Sequence, residues 1–132
     1  MRHRQGQRRA AAVVELAFLL PFLLFMFVVC IDFGRVFYYS QTLAECARNG
    51  AIYGSDLVTA QSPYASLQQA ALADATNLSP QPTVTSTTGT DTAGNAYVRV
   101  TVAWEFQTIA RVPGVPSTVS LSRSCQMRVA KK

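Results

Sequence analysis

The sequence has a single histidine, His3, and it lies in a basic N-terminal run. Serine- or cysteine-based nucleophilic arrangements therefore lack a base in any folded domain. There is no CxxC, no HExxH and no cluster of carboxylates, so neither a metal site nor a cofactor is expected. Glycines are scattered, with no phosphate-binding loop, and the isolated acids Asp56, Asp74 and Asp91 read as solvated surface. Enzyme activity and a small-molecule substrate are not expected. Charge is scarce as well. Charged residues make up 14% of the chain and hydrophobic residues 49%, where about 25% charged is usual for a soluble domain. The shortfall is local: no charged side chain occurs between Leu16 and Ile31, while polar residues dominate from Gln61 to Asn95.

The net charge of +5 is also unevenly placed. Arg2, Arg4, Arg8 and Arg9 crowd the first nine residues, and the other eight basic residues face seven acids. No dense basic stripe interleaved with aromatics is present, so the basic end reads as a membrane-topology signal, and nucleic acid is not an expected partner.

From Ala10 to Ile31 the chain is apolar except for Glu15 and Pro21. A helix of that length rises about 33 Å, enough to cross a hydrocarbon core of about 30 Å. It is apolar all round, and the remaining hundred or so residues cannot bury it on every side. The positive-inside rule puts the N-terminus in the cytoplasm and everything after Asp32 outside. A secretory signal peptide is the competing reading, but the apolar part is too long for one and no A-x-A-like site follows cleanly. Glu15 supports two readings. A carboxylate in an apolar span is a functional candidate, yet near the cytoplasmic face and a helix N-terminus it is also tolerated. Pro21 removes one intrahelical hydrogen bond, which predicts a bend or a loosened turn.

The string Glu15-Leu16-Ala17-Phe18-Leu19-Leu20-Pro21, after arginines and small residues, resembles the start of TadE-like proteins of bacterial tight-adherence pilus systems. The likeness continues through the membrane exit Asp32-Phe33-Gly34-Arg35, then Leu43 and Ala47-Arg48-Asn49-Gly50-Ala51. The closing Ser124-Cys125-Gln126-Met127-Arg128 is similar to the family's ending. The resemblance implies a pilin-like minor subunit, or pseudopilin, with other pilin-like subunits, pilus platform proteins and a prepilin peptidase as partners. It also implies cleavage after a small residue, usually glycine, leaving Glu at the fifth mature position. Counting back from Glu15 places the cut between Ala10 and Ala11. Ala10 stands where glycine is usual, and cutting after Gly6 would make Glu15 the ninth residue. An uncut, permanently anchored assembly factor and an extracytoplasmic binding module remain alternatives. In a processed protein, Glu15 would pair with the new terminal amine of a neighbouring subunit and set axial register.

Beyond the span, Ser40, Leu43, Ala44, Ala47, Ala51 and Gly54 recur at helical spacing, which predicts that the helix continues with a face of small residues. That face is expected to pack under the protein's own sheet, with another helix as the alternative. Gly34 is a candidate flexible joint. Ser62-Pro63 predicts the start of a second helix carrying Leu67, Ala70, Ala71, Ala75 and Leu78. Thr83 to Thr87 reads as strand, Thr88 to Asn95 as polar loop, and Val98 to Phe106 as a strand with alternate residues inward. A last strand is expected from about Val119 to Val129. Cys30 reads as a small apolar residue of the span. Cys46 and Cys125 are a candidate disulfide whose geometry the sequence leaves open; once formed it would contribute on the order of 4 kcal/mol. The expected architecture is α+β and pilin-like: a cytoplasmic leader over 1–10, a transmembrane helix over 11–31, and an extracytoplasmic domain over 32–132. In that domain the continuing helix carries a second helix and an antiparallel sheet of about three strands.

Overall fold

A computed structural model describes residues 3–56, 62–109 and 116–129, with side chains from residue 12 onward in the first segment. The first helix, α1, runs from His3–Gly54 and passes the expected boundaries at residues 10 and 31 without interruption. Its 52 residues make a rod about 78 Å long. Helix also continues through Pro21 and Gly34. The chain leaves α1 by way of Asp56, whose φ of 62° is the left-handed turn that commonly ends a helix.

The two halves of α1 live in different surroundings. Residues of the N-terminal half present apolar side chains outward on every side, with Phe18 81% exposed and Phe27 64%. In the C-terminal half, Ser40, Leu43, Cys46, Ala47 and Ala51 are buried. A three-stranded antiparallel sheet lies against this half, in the order β1 (Thr83–Thr90), β2 (Ala96–Gln107) and β3 (Thr118–Arg128). Val98, Val100, Val102 and Phe106 of β2 all turn toward the helix and are buried, as their alternation predicts. The small-residue face of α1 thus packs beneath its own sheet.

Two sequence expectations shift. The second helix, α2, spans only Leu67–Leu72 and is capped by Ser66, not Ser62. The Ser66 hydroxyl accepts from the Gln69 N–H, and the Gln69 side chain accepts in turn from the Ala65 N–H, close to the S-x-x-Q capping box. Ala75 and Leu78 remain buried, but on turns after the helix. The expected loop at 88–95 is shorter, because β1 pairs with β2 as far as Thr90 opposite Ala96. Gly89 lies beneath Tyr97, where a Cβ would come within 2.7 Å of the phenol oxygen.

The β1–β2 turn is organised by Asp91. Its carboxylate accepts from the backbone N–H of Asn95 at 2.7 Å and of Ala93 at 3.0 Å, while Gly94 takes the positive φ of 78°. The Asn95 N–H contributes most to holding this carboxyl below its usual pKa; desolvation, next in size, opposes it, and the Asn95 side chain, the Ala93 N–H and Arg128 add to the lowering. A group whose folded pKa lies below its unfolded value of about 3.9 stabilises the fold above that pH and ceases to do so as pH falls through the folded value. Acid unfolding of the hairpin should accordingly be steeper in the parent than in Asp91→Asn, which loses stability at neutral pH and has a flatter acid limb. Circular dichroism across an acid titration of both proteins measures this.

Candidate functional site at the membrane exit

The exit residues named by the sequence motif converge with the far end of β2. Asp32 sits on the side of α1 facing the domain and is only 7% exposed. Its two carboxylate oxygens accept from the backbone N–H of Ile109 at 3.1 and 3.0 Å. Arg35, one turn along the helix, donates to the same carboxylate at 3.1 Å. The Arg35 guanidinium also lies 4.9 Å from the centre of the Phe106 ring. One carboxylate therefore ties the helix, a cation and the end of β2 together.

Above this junction is an aromatic layer. The Tyr39 ring is 5.0 Å from Trp104 and 5.7 Å from Phe106, distances typical of favourable tilted pairs. Trp104 donates its indole N–H to the carbonyl of Pro80 at 2.7 Å, fastening the chain between α2 and β1 to the sheet. A cleft of about 290 Å³ opens beside Arg35, Tyr39 and Trp104. Further out, Arg123 of β3 turns inward opposite Val102 and donates to the Ser40 hydroxyl.

The A-R-x-G-A segment has a packing explanation. Ala47 and Ala51 are fully buried. A Cβ on Gly50 would meet both the Ala71 methyl and Val100 at 3.0 Å. Gly54, one turn on, would meet Leu67 at 2.9 Å and Val98 at 3.0 Å. Asn49 reaches from the same turn to the Asp74 carboxylate. Arg48 points outward, with only a loose 3.9 Å contact to Glu45. By contrast, a Cβ on Gly34 would meet nothing within 4 Å, so packing within the chain does not require glycine there.

Other expected site residues lie apart from this junction. Glu15 and Pro21 are exposed on the N-terminal half of α1, with Glu15 about 26 Å along the axis from Asp32. Among the described residues nothing pairs with Glu15. Ala10 and Ala11 belong to the backbone of α1, and their side chains lie outside the described residues. Cys30 is exposed, whereas Cys46 and Cys125 are free thiols. Cys46 is fully buried in the core between helix and sheet, and Cys125, on β3 opposite Val100, packs against the same core. Burial raises the Cys46 pKa, and the nearby Asp74 charge adds to the effect. Among the described residues no group of three or more His, Cys, Asp or Glu side chains could hold a metal ion. Phe106 was expected on the inward face of its strand, whereas Ile109 and Arg123 were not apparent as partners of the helix; only the odd-numbered alternation of the last strand could have placed Arg123 inward.

The arrangement defines a class: an α+β protein built on one long helix, whose N-terminal half is a candidate membrane span and whose C-terminal half is the spine of a small domain. A model of the TadE-like protein family matches residues 10–51. The match takes in the candidate span, the Asp32 to Arg35 segment and the A-R-x-G-A segment, about a third of the chain. No curated protein and no solved structure matches the chain.

Asp32→Ala should leave the Ile109 N–H without its acceptor and lower stability by about 2 kcal/mol. Faster amide exchange at Ile109, with a lower unfolding midpoint, is the expected result, and Asp32→Asn should fall between the two. Gly50→Leu should cost about 3 kcal/mol by forcing α2 and Val100 from the helix. Chemical denaturation of the detergent-solubilised protein checks that value.

Proposed function

We propose that the chain is a pilin-like minor subunit, a pseudopilin, of a tight-adherence pilus system. It is anchored in the cytoplasmic membrane with its N-terminus in the cytoplasm and its domain outside. The observation that carries this reading is the sharing of α1 between a candidate span and a domain core, together with the TadE-like match over the same helix. The role is structural, not catalytic. Cleavage at the outer end of the span, as in a signal peptide, would cut through the helix that carries Asp32, so the span is read as a retained anchor.

Glu15 is the assembly residue in this reading. A carboxylate among exposed apolar side chains is costly in lipid unless another charge meets it. The terminal amine of a neighbouring subunit, freed by a cut between Ala10 and Ala11, is the partner proposed. An uncut assembly factor is the second reading, and Ala10 in the place of the usual glycine favours it. Glu15→Gln should leave the protein in the membrane fraction and abolish pilus assembly, and wild-type numbers of pili from that variant would remove Glu15 from the mechanism. Mass spectrometry of the native N-terminus distinguishes the two readings: Ala11 marks a processed pseudopilin, Met1 an uncut factor.

A further inference from the structure

We propose that the base of the domain docks into the lipid headgroup layer, with Ile109, Phe33 and Phe37 seated among lipids. The proposal rests on the reading of α1 as a membrane span. It concerns a different surface, namely the end of the domain nearest that span.

Height is the first argument. If Ile31 is the last residue of the hydrocarbon run, Phe33 stands about 3 Å and Phe37 about 9 Å beyond it. The headgroup layer on one side of a bilayer is about 5–8 Å thick, so Phe33 lies near its base, and the Phe37 ring, which leans back toward the N-terminus of the helix, reaches its outer margin. Ile109 is held at the level of Asp32 by the hydrogen bonds to its N–H, which puts it at the hydrocarbon edge.

Exposure is the second. Phe33 is 75% exposed, Phe37 62% and Ile109 60%. Phe33 and Phe37 are four residues apart on α1 and continue the exposed apolar surface of the span above Phe22 and Met26. Tyr38 beside them has a polar tip suited to the same layer. Among the described residues the acid at this height, Asp32, faces inward, is ion-paired with Arg35 and accepts from the Ile109 N–H, so it does not oppose lipid contact.

Position selects lipid as the occupant. The apolar groups come from two elements, α1 and the chain after β2. All lie within about 9 Å of the end of the span, which itself brings them to the membrane surface.

The test adds one tryptophan at a time to the full-length protein, which has only Trp104, and reconstitutes each variant in phosphatidylcholine vesicles with brominated acyl chains. Leu24→Trp reports the span, Ile109→Trp and Phe37→Trp report docking, and Thr87→Trp at the distal end of β1 is the control. The parent's signal from Trp104 is subtracted in each case. Emission from the tryptophans at 109 and 24 should fall roughly twofold or more relative to unbrominated vesicles, that at 37 by less, and that at 87 not at all. Quenching at 24 without quenching at 109 and 37 would overturn docking and leave the span standing. No quenching at 24 would overturn the span itself. A blue-shifted but unquenched tryptophan at 109 or 37 would mean a protein partner covers the surface, which also overturns the proposal.

Discussion

The Asp32 carboxylate, accepting from the Ile109 amide and from Arg35, joins the exposed apolar half of α1, the candidate span, to the folded domain. A charge at the end of an apolar span would otherwise be costly against lipid. Here the domain itself supplies the compensating groups, because the end of β2 is brought down onto the helix. Arg35 then serves twice, neutralising Asp32 and covering Phe106. The aromatic layer of Tyr39, Trp104 and Phe106 begins where this junction ends.

Further along α1, closeness of approach replaces charge as the organising constraint. Ala47, Gly50, Ala51 and Gly54 let the sheet and α2 come to the helix backbone, so that valine side chains of β2 fill the space that larger helical residues would occupy. Polar contacts from Ser40 to Arg123 and from Asn49 to Asp74 tie the helix to opposite flanks of the domain. Among the described residues no buried side-chain polar atom lacks a partner. Apolar fit and polar satisfaction therefore agree on one placement of the helix, a consistency expected of a uniquely specified fold.

Most of the architecture was readable in the chain. The apolar run gave the long exposed helix that is the candidate span, and the strict alternation from Val98 to Phe106 gave the central strand and its inner face. Alternative local signals misplaced the boundaries. Ser62-Pro63 is a strong helix start, yet Ser66 with Gln69 closes a better cap next to residues that reach the core. Thr88 to Thr90 has a loop-like composition, but backbone pairing with β2 and the cover of Tyr97 over Gly89 keep it in the sheet. The site was half legible. Asp32 and Arg35 stood out by type and position, whereas their partner is a backbone amide, and an amide carries no signature in a sequence. The pairing of Cys46 with Cys125 was open for a related reason, since residue type does not reveal how two thiols facing one core are spaced.

Because α1 is one unbroken rod, the facing direction of the domain and the depth of the span are not independent. Each residue of helix turns the rod by about 100° and advances it by about 1.5 Å. With the sheet clamped to that rod at Asp32, Ser40 and Gly50, any rotation of the span about its axis swings the whole sheet around the same axis. The apolar half thus sets the compass bearing of the domain, and a single residue added between the two halves would point the sheet another way.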